Sequence, residues 1–115
     1  MKIRSFEEVW LDLERLKGKT VDTLVNHVKS DIIDIDSSGM LRRSEIYNEE
    51  KTVERSAFER VWKDLTEKGY CKIGSRWSIA CACIALLPEI EYSVSSRTIR
   101  LTENKHEFGI LVEKV

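Results

Sequence analysis

Two stretches of the chain repeat one pattern of apolar and polar positions. The string Phe-Glu-x-Val-Trp-x-Asp-Leu runs from Phe6 to Leu13 and again from Phe58 to Leu65. In each copy the apolar residues stand at i, i+3, i+4 and i+7, which is the spacing of one face of a helix. A Ser-x-x-Glu capping box stands at the start of each copy, at Ser5–Glu8 and at Ser56–Glu59. We therefore expect two amphipathic helices, each ending at the next glycine.

The region between the two stripes has the composition of an antiparallel β meander. Its apolar residues are mostly β-branched, and turn-forming residues occupy positions 37–39 and 48–50. The expected strands are Thr20–Val25, Ser30–Asp36, Met40–Tyr47 and Lys51–Glu54.

The last third of the sequence predicts a buried helix and a closing C-terminal hairpin. Trp77–Leu87 is almost wholly apolar, and a helix that is apolar all round is a buried one. Pro88 ends it, and Tyr70–Ile73 is expected to form a short strand before it. Arg97–Thr102 and Phe108–Glu113 are expected to pair as the hairpin. The fold class is therefore α+β, with an antiparallel meander, two amphipathic helices and one buried apolar helix.

Length and composition narrow the class of protein. With 115 residues, 42% hydrophobic and 34% charged, residues 1–115 are expected to form one domain. The net charge of −1 gives no overall attraction to nucleic acid or to an anionic membrane. Residues 1–15 carry acidic side chains where a signal peptide is apolar, and Trp77–Pro88 is too short to cross a membrane. Three cysteines argue against a disulfide framework, so we expect a protein of the reducing cytoplasm. We also expect no membrane contact and no cofactor.

One acidic segment has the spacing of an EF-hand calcium loop. Asp34, Asp36, Ser38 and Glu45 stand at loop positions 1, 3, 5 and 12, with a glycine at position 6. An EF-hand needs a helix on each side, whereas the preceding residues are β-branched and two arginines follow the turn. We favour a β-hairpin with these side chains facing solvent, and calcium is the weaker interpretation.

The cysteines predict no metal or redox site. Cys81 and Cys83 point about 200° apart on a helix, so they cannot share an ion, and buried cysteines behave as small apolar residues. Cys71 lies near the end of a basic stretch that would favour its thiolate, so a cysteine-dependent enzyme is the third interpretation. Neither a Gly-x-Gly-x-x-Gly string nor a Walker A string is present, and no catalytic residue or metal ligand is assigned.

A local excess of basic residues supports a nucleic-acid-associated regulator as the alternative function. The element order is that of a winged helix, but the helix that would enter the groove is the apolar one, which has almost no side chain able to read a base. The basic residues would therefore contact the phosphates of the nucleic acid. In the alternative interpretation these residues form i,i+4 ion pairs, and the helix face is simply exposed to solvent. The basic residues are Arg55, Arg60, Lys63, Lys68, Lys72, Arg76, Arg97 and Arg100.

Apolar residues outside the helix stripes support the leading function, a non-enzymatic binding or accessory module that acts through protein–protein contacts. The terminal strand is apolar at consecutive positions, which indicates that both of its faces are covered. Its own fold, a partner protein or a second copy in a homodimer could supply the second cover. The candidate interface residues are Leu11, Phe108, Ile110, Leu111 and Val112.

The chain resembles a small, uncharacterised prokaryotic α+β domain that has a Trp-anchored helix, a β meander, a second Trp-anchored helix and an Ala-Leu-Leu-Pro helix. The resemblance covers roughly residues 6–101 and departs from the pattern at Lys29-Ser30-Asp31 and after Thr102. It implies the fold but no activity and no catalytic residue. It is carried by Trp10, Leu13, Leu16, Gly18, Thr20–Leu24, Ile33–Asp36, Gly39, Arg55, Phe58, Trp62, Leu65, Gly69, Ala85-Leu86-Leu87-Pro88 and Thr98–Leu101.

Overall fold

Three helices and two antiparallel sheets are formed by residues 2–74 and 77–114, which are the residues that the computed structural model describes. The predicted α+β fold and its antiparallel meander are confirmed. The helices are α1 (Phe6–Leu13), α2 (Arg55–Lys68) and α3 (Ser78–Ile84). The strands are β1 (Thr20–Asp22), β2 (Lys29–Asp36), β3 (Gly39–Ser44), β4 (Glu50–Glu54), β5 (Tyr70–Lys72), β6 (Ile90–Ser93) and β7 (Thr98–Leu101).

The first sheet is a meander with the strand order β1-β2-β3-β4, so β1 and β4 are its edges. Asp36 is paired with Gly39 across the β2–β3 turn, and the register shifts between Ile32 and Asp34. Side chains of a strand alternate between the two faces. The inward face is apolar near the β2–β3 turn, where Ile35 and Met40 are buried.

The second sheet has the order β5-β7-β6, and its hairpin differs from the predicted one. β7 pairs with β6, a strand that the sequence analysis did not identify. The predicted terminal strand Phe108–Glu113 is wrong, because these residues form turns and a single parallel bridge between Glu113 and Tyr92. Gly109, at a φ of 90°, bends the chain away from an extended course.

α1 begins where the sequence predicts, but its α-helical part ends at Leu13, before the predicted end at Gly18. The Ser5 hydroxyl oxygen accepts the N–H of Glu8 at 3.3 Å and caps the helix. α1 continues as a 3-10 turn over Glu14–Leu16. Gly18 follows in the left-handed conformation, at a φ of 81°, and its N–H donates to the carbonyl of Ile32 at 2.7 Å. This bond joins the end of the helical segment to β2.

The capping box predicted at Ser56 and Glu59 is wrong. α2 begins at Arg55, two residues before the start that a Ser56 N-cap implies, and its N-cap, Glu54, makes no capping bond through its side chain. The N–H of Arg55 instead donates to the carbonyl of Ser38 at 3.0 Å. Because β4 runs directly into α2, a tertiary contact satisfies the first backbone N–H of the helix.

The indole N–H groups of two tryptophans orient α1 and α2. Trp10 Nε1 donates to the carbonyl of Asp36 at 3.1 Å, and Trp62 Nε1 donates to the carbonyl of Arg4 at 3.2 Å. A buried indole N–H needs such an acceptor. The rings of Trp10 and Phe58 meet edge-on with their centroids 5.1 Å apart, which joins the two apolar stripes.

α3 is the buried apolar helix that the sequence predicts. Its α-helical part is shorter than Trp77–Leu87, and turns extend it to Leu87. Residues 79–84 are all buried, and they belong to one core cluster together with the stripes of α1 and α2. Alanine and cysteine side chains are small, so the neighbouring elements approach this helix closely. The placement in the core leaves α3 unable to enter a nucleic-acid groove.

Candidate protein-binding groove

A groove of about 600 Å³ separates β1 from the C-terminal segment, which is defined here as residues 106–114. Its base consists of side chains from the 3-10 turn and from α3. One wall is β1, and the other is the C-terminal segment. The lining residues are Arg15, Leu16, Lys19, Thr20, Val21, Asp22, Ala82, Leu86, Phe108, Gly109 and Leu111. We call this depression the β1 groove.

Backbone hydrogen bonds hold the C-terminal segment beside the groove. The N–H of Gly109 donates to the carbonyl of Leu86 at 2.9 Å, and the N–H of Tyr92 donates to the carbonyl of Val112 at 3.0 Å. Between these two anchors, Ile110 and Leu111 are 48% and 39% exposed. The anchors therefore hold two large apolar side chains at the surface beside the groove.

β1 presents free backbone groups along its outer edge. The N–H of Ile32 donates to the carbonyl of Lys19 at 2.8 Å. The register pairs Thr20 with Asp31, so extending it by one residue places Lys19 opposite Ile32. Bonded and non-bonded pairs alternate in an antiparallel ladder, so Val21 bonds to β2. Thr20 and Asp22 consequently direct their N–H and C=O groups away from β2, toward the sheet edge.

The rim of the β1 groove is mainly cationic. The Arg15 guanidinium lies over the ring of Phe108, 4.4 Å from its centroid, and 3.5 Å from the carboxylate of Asp12. Lys19 is exposed, and no ion pair joins it to another residue within 2–74 and 77–114. Asp22 is the acidic residue of the lining. The groove thus has a positive end near Lys19 and a negative position at Asp22.

The structure brings together only part of the predicted interface. Phe108 and Leu111 line the β1 groove and Ile110 is exposed beside it, while Val112 is half-buried. Leu11 is 66% exposed but lines a different depression, together with Trp10 and Ile35. Because Ile110 and Leu111 are exposed, the chain's own fold does not cover both faces of the C-terminal segment. Cover by a partner protein or a second copy stays a prediction.

Two exposed features of the molecule were not predicted from the sequence. The first is the open edge of β1, which depends on the strand order rather than on any local pattern. The second is the tip of the β3–β4 hairpin, where Ile46 and Tyr47 are 65% and 69% exposed. The signal for the tip was an adjacent apolar pair before a turn. Both residues were instead assigned to the predicted strand Met40–Tyr47.

Arg55 is engaged in contacts within the protein. Its guanidinium carbon lies 5.2 Å from the ring centroid of Phe6 and 5.5 Å from that of Trp10. Its Nε is 3.3 Å from the carboxylate of Glu59, an i,i+4 pair on α2. Phosphate binding by Arg55 would have to break these contacts.

The solvent face of α2 carries the i,i+4 pairs that the sequence analysis weighed against phosphate contact. Asp64 lies 3.9 Å from both Arg60 Nε and Lys68 Nζ. Lys63 Nζ lies 4.0 Å from Glu67. Exposed pairs of this kind contribute little to stability, but they cancel much of the positive field of the helix.

The remaining basic candidates do not extend this face. Lys72 is exposed on β5, and Arg97 is exposed in the β6–β7 turn with a φ of 53°. Arg100 is half-buried on β7, and its Nε is buried without a hydrogen-bond partner within the described residues. Arg76 lies outside the described residues. The nucleic-acid alternative stays a prediction.

Cys71 is buried, and no histidine in the described part of the chain bonds to its thiol. Its Sγ lies 3.9 Å from an Asp64 oxygen and 3.6 Å from the carbonyl of Lys72. A hydrogen bond from Cys81 lowers the pKa of Cys71, although burial and the Asp64 charge oppose the shift. Both ring nitrogens of His106 lie against backbone carbonyls. The cysteine-dependent enzyme stays a prediction with no identified general base.

The calcium candidates lie on and beside the β2–β3 hairpin, as the favoured interpretation predicts. Asp36 Oδ1 accepts from Ser38 N–H at 2.8 Å and from Ser38 O–H at 2.6 Å, bonds that lower the pKa of Asp36. Asp34 lies 3.2 Å from Lys17, and Glu45 is exposed after β3. Strands, not EF-hand helices, flank the segment. No group of three or more His, Cys, Asp or Glu side chains in the described residues could hold a metal ion.

Comparisons of the chain with family models, with curated proteins and with solved structures found no match. The resemblance to a prokaryotic α+β domain therefore stays a prediction beyond the fold class itself. Within residues 2–74 and 77–114, no helix has both the length and the apolar character needed to cross a membrane.

Proposed function

We propose that this protein is a non-enzymatic binding module that captures an extended, acidic segment of a partner protein in the β1 groove. The segment adds to the free edge of β1 as a further strand and hydrogen-bonds to the backbone of Thr20 and Asp22. The observation that carries the proposal is the position of this open edge opposite the exposed apolar residues of the C-terminal segment.

The groove supplies the two kinds of contact that strand addition needs. The edge offers hydrogen bonds of about 1 kcal/mol each, and an apolar side chain buried against Leu111 contributes about 1.5–3 kcal/mol. β1 has only three residues, so the ladder is short. Because association itself costs several kcal/mol, we expect transient rather than permanent binding.

The charges of the rim indicate the chemistry and the direction of the partner segment. Arg15 and Lys19 favour an acidic residue at their end of the groove, and Asp22 favours a neutral or basic residue at the other end. An extended peptide places alternate side chains on one side, so one acidic and one apolar residue two positions apart fit the groove.

A second copy of the chain fits this groove less well than a partner protein. A two-fold pairing of two β1 strands would be antiparallel and only three residues long, which is too short a ladder to hold a dimer together on its own. We therefore expect a monomer in solution, and a homodimer formed through β1 is the outcome that would contradict our choice of occupant.

A displayed library of random seven-residue peptides tests the proposal. Selected peptides are synthesised and titrated into the ¹⁵N-labelled protein. We expect enrichment of extended sequences with alternating acidic and apolar residues, and amide shifts concentrated at residues 19–22 and 108–111. Light scattering on the free protein gives the oligomeric state in the same buffer.

A matched pair of variants separates edge pairing from other modes of binding. Thr20→Pro removes an outward N–H without removing a bond to β2, whereas Thr20→Val keeps that N–H. Both variants lose the 2.8 Å bond from Thr20 Oγ1 to Asp31. We expect Thr20→Pro to abolish peptide binding and Thr20→Val to retain it. Equal binding by both variants, or amide shifts that map away from the groove, would contradict the proposal.

A cytoplasmic setting belongs to the same proposal. Cys71, Cys81 and Cys83 are free thiols, and thiols persist in a reducing compartment. The expectation of no membrane contact also remains part of the proposal. Weak binding of random DNA that falls with added salt would instead favour the nucleic-acid alternative.

A further inference from the structure

The inward face of the first sheet changes from apolar to polar along β3. Met40, Arg42 and Ser44 point to the same side, because they are two residues apart. Met40 is packed in the core, whereas Arg42 and Ser44 lie with Ser30 of β2 at the other end of the sheet. Ser30 and Ser44 face each other in the register, and both are buried. A charged side chain on the covered face of a sheet requires an explanation.

Arg42 borders a cavity of about 260 Å³ that is separate from the β1 groove. Its lining is rich in hydrogen-bond donors. Thr23 Oγ1 accepts the N–H of Val28 at 2.9 Å, so its hydroxyl hydrogen is still able to donate. The polar side chains of the lining include Thr23, Asn26, Ser30, Arg42, Ser44 and Lys51.

The Arg42 guanidinium is not satisfied by its surroundings within the described residues. Its Nη1 donates to Ser30 Oγ at 3.1 Å, but its Nε is buried and has no hydrogen-bond partner. Glu49 also lines the cavity, but its carboxylate lies 4.0 Å from Lys51 Nζ and forms its ion pair there. A buried N–H without a partner is costly. Each such group in a folded protein requires an explanation, and a bound ion that accepts the hydrogen bond is one of them.

A second cation stands directly opposite Arg42. Lys51 of β4 is its partner in the β3–β4 register, so both side chains start on the same face of adjacent strands. Like charges in this position destabilise a sheet. An anion between the two side chains would remove the repulsion and would accept the free N–H groups of Arg42.

We propose that this cavity is a binding site for a phosphate group, either free phosphate or a small phosphomonoester. The planar guanidinium of Arg42 holds two phosphate oxygens, Lys51 supplies a further charge, and the hydroxyls of Ser30, Ser44 and Thr23 donate to the rest. The cavity volume suits a small ion or metabolite, since drug-sized ligands occupy about 300–1,000 Å³. This site is formed by strand side chains and needs no glycine-rich loop.

Calorimetry on the intact protein tests the proposal. Inorganic phosphate and glycerol phosphate are titrated separately at constant ionic strength, with sodium chloride as the reference titrant. We expect saturable binding of at least one phosphate species and none of chloride. Tighter binding of glycerol phosphate identifies a phosphomonoester as the ligand, and tighter binding of inorganic phosphate identifies the free ion.

Two adjacent arginines provide the matched variants. Arg42→Gln removes the inward guanidinium, and Arg43→Gln removes the outward one, which pairs with Glu50 at 2.8 Å on the solvent face. We expect Arg42→Gln to weaken phosphate binding by about tenfold or more and Arg43→Gln to change it by less than about twofold. Equal effects of the two substitutions, or no saturable binding to the unaltered protein, would overturn the proposal.

A spectroscopic measurement on the unaltered protein covers the case in which Arg42→Gln does not fold. The Nε–H resonance of Arg42 is observed by ¹⁵N NMR during the phosphate titration. A shift that saturates with the calorimetric affinity supports the proposal. An unchanged resonance at phosphate saturation would refute it.

Discussion

The substitution Arg4→Met tests how three separate parts of the chain are held together. The Arg4 guanidinium donates to both carboxylate oxygens of Glu89 at 2.7 Å and to Asp12 at 2.7 Å. The hydrogen bond with Glu89 raises the pKa of Arg4 above its ordinary value. Glu89 is only 6% exposed. Methionine would therefore leave a carboxylate buried without its cation.

The expected loss follows from this burial. Removing one partner of a buried ion pair costs about 3–5 kcal/mol. Because the Arg4 side chain is 25% exposed, water moderates the effect, and we expect about 3 kcal/mol. In a chain of this length that corresponds to a fall of roughly 12 °C in the melting temperature. Urea unfolding followed by the fluorescence of the buried Trp10 and Trp62 measures the loss.

Arg15→Met is the matched control, because Arg15 pairs with the same Asp12 at 3.5 Å but is 61% exposed. We expect it to cost less than about 1 kcal/mol. Adding Glu89→Met to Arg4→Met removes the stranded carboxylate and should recover most of the lost stability. The reasoning is refuted if Arg4→Met costs no more than Arg15→Met, or if the double variant is no more stable than the single one.

Three further predictions concern the first sheet. Gly39→Ala should destabilise the protein by about 2 kcal/mol, because a Cβ at this position would collide with the carbonyl of Val53. An unchanged midpoint of urea unfolding would contradict this prediction. Asp36 has a lowered pKa, so its stabilising contribution is present above the ordinary value of 3.8 and is lost as the pH falls through the folded pKa. Asp36→Asn should therefore lower the melting temperature at neutral pH, and a persistent difference at pH values well below 3.8 would contradict the assignment. In phosphate-free buffer, Arg42→Met should raise the free energy of unfolding by about 1 kcal/mol, because it removes an unsatisfied N–H and the like-charge pair with Lys51. A loss of stability would show that the hydrogen bonds of the Arg42 guanidinium are already satisfied.

The helices and the meander were predictable because each depends on a local pattern. The stripes of Phe6–Leu13 and Phe58–Leu65 require a helix to place four apolar residues on one face. The run from Ile79 to Ile84 is apolar all round, which indicates burial wherever the rest of the chain lies. The β2–β3 hairpin follows from β-branched residues and from the turn at Gly39.

The predictions failed where contacts with a distant part of the chain determined the local structure, or where a segment was too short to show a pattern. Ser56 and Glu59 form a good capping pattern, but the carbonyl of Ser38 accepts the first free N–H of α2. The four residues of β6 carry too little pattern to be distinguished from a loop. The C-terminal segment is apolar enough for a strand, yet Gly109 turns it toward Leu86.

Both proposed sites draw on residues that are far apart in the sequence. The β1 groove combines residues 15–22 with residues 82–86 and 108–111, and only the tertiary fold brings these together. Arg42 is different, because strand alternation with Met40 already predicts that it points inward. Among the residues that the structure describes, no acidic side chain forms an ion pair with Arg42; this depends on packing and is not visible in any sequence pattern.

Amide hydrogen exchange at β1 tests the central claim most directly. The free protein should exchange the Thr20 and Asp22 amides rapidly and the Val21 amide slowly, because only Val21 bonds to β2. A selected peptide should slow exchange at Thr20 and Asp22 while leaving Val21 unchanged. Protection that appears only on the helices, or rapid exchange at Thr20 and Asp22 with the peptide bound, would contradict strand addition at this edge.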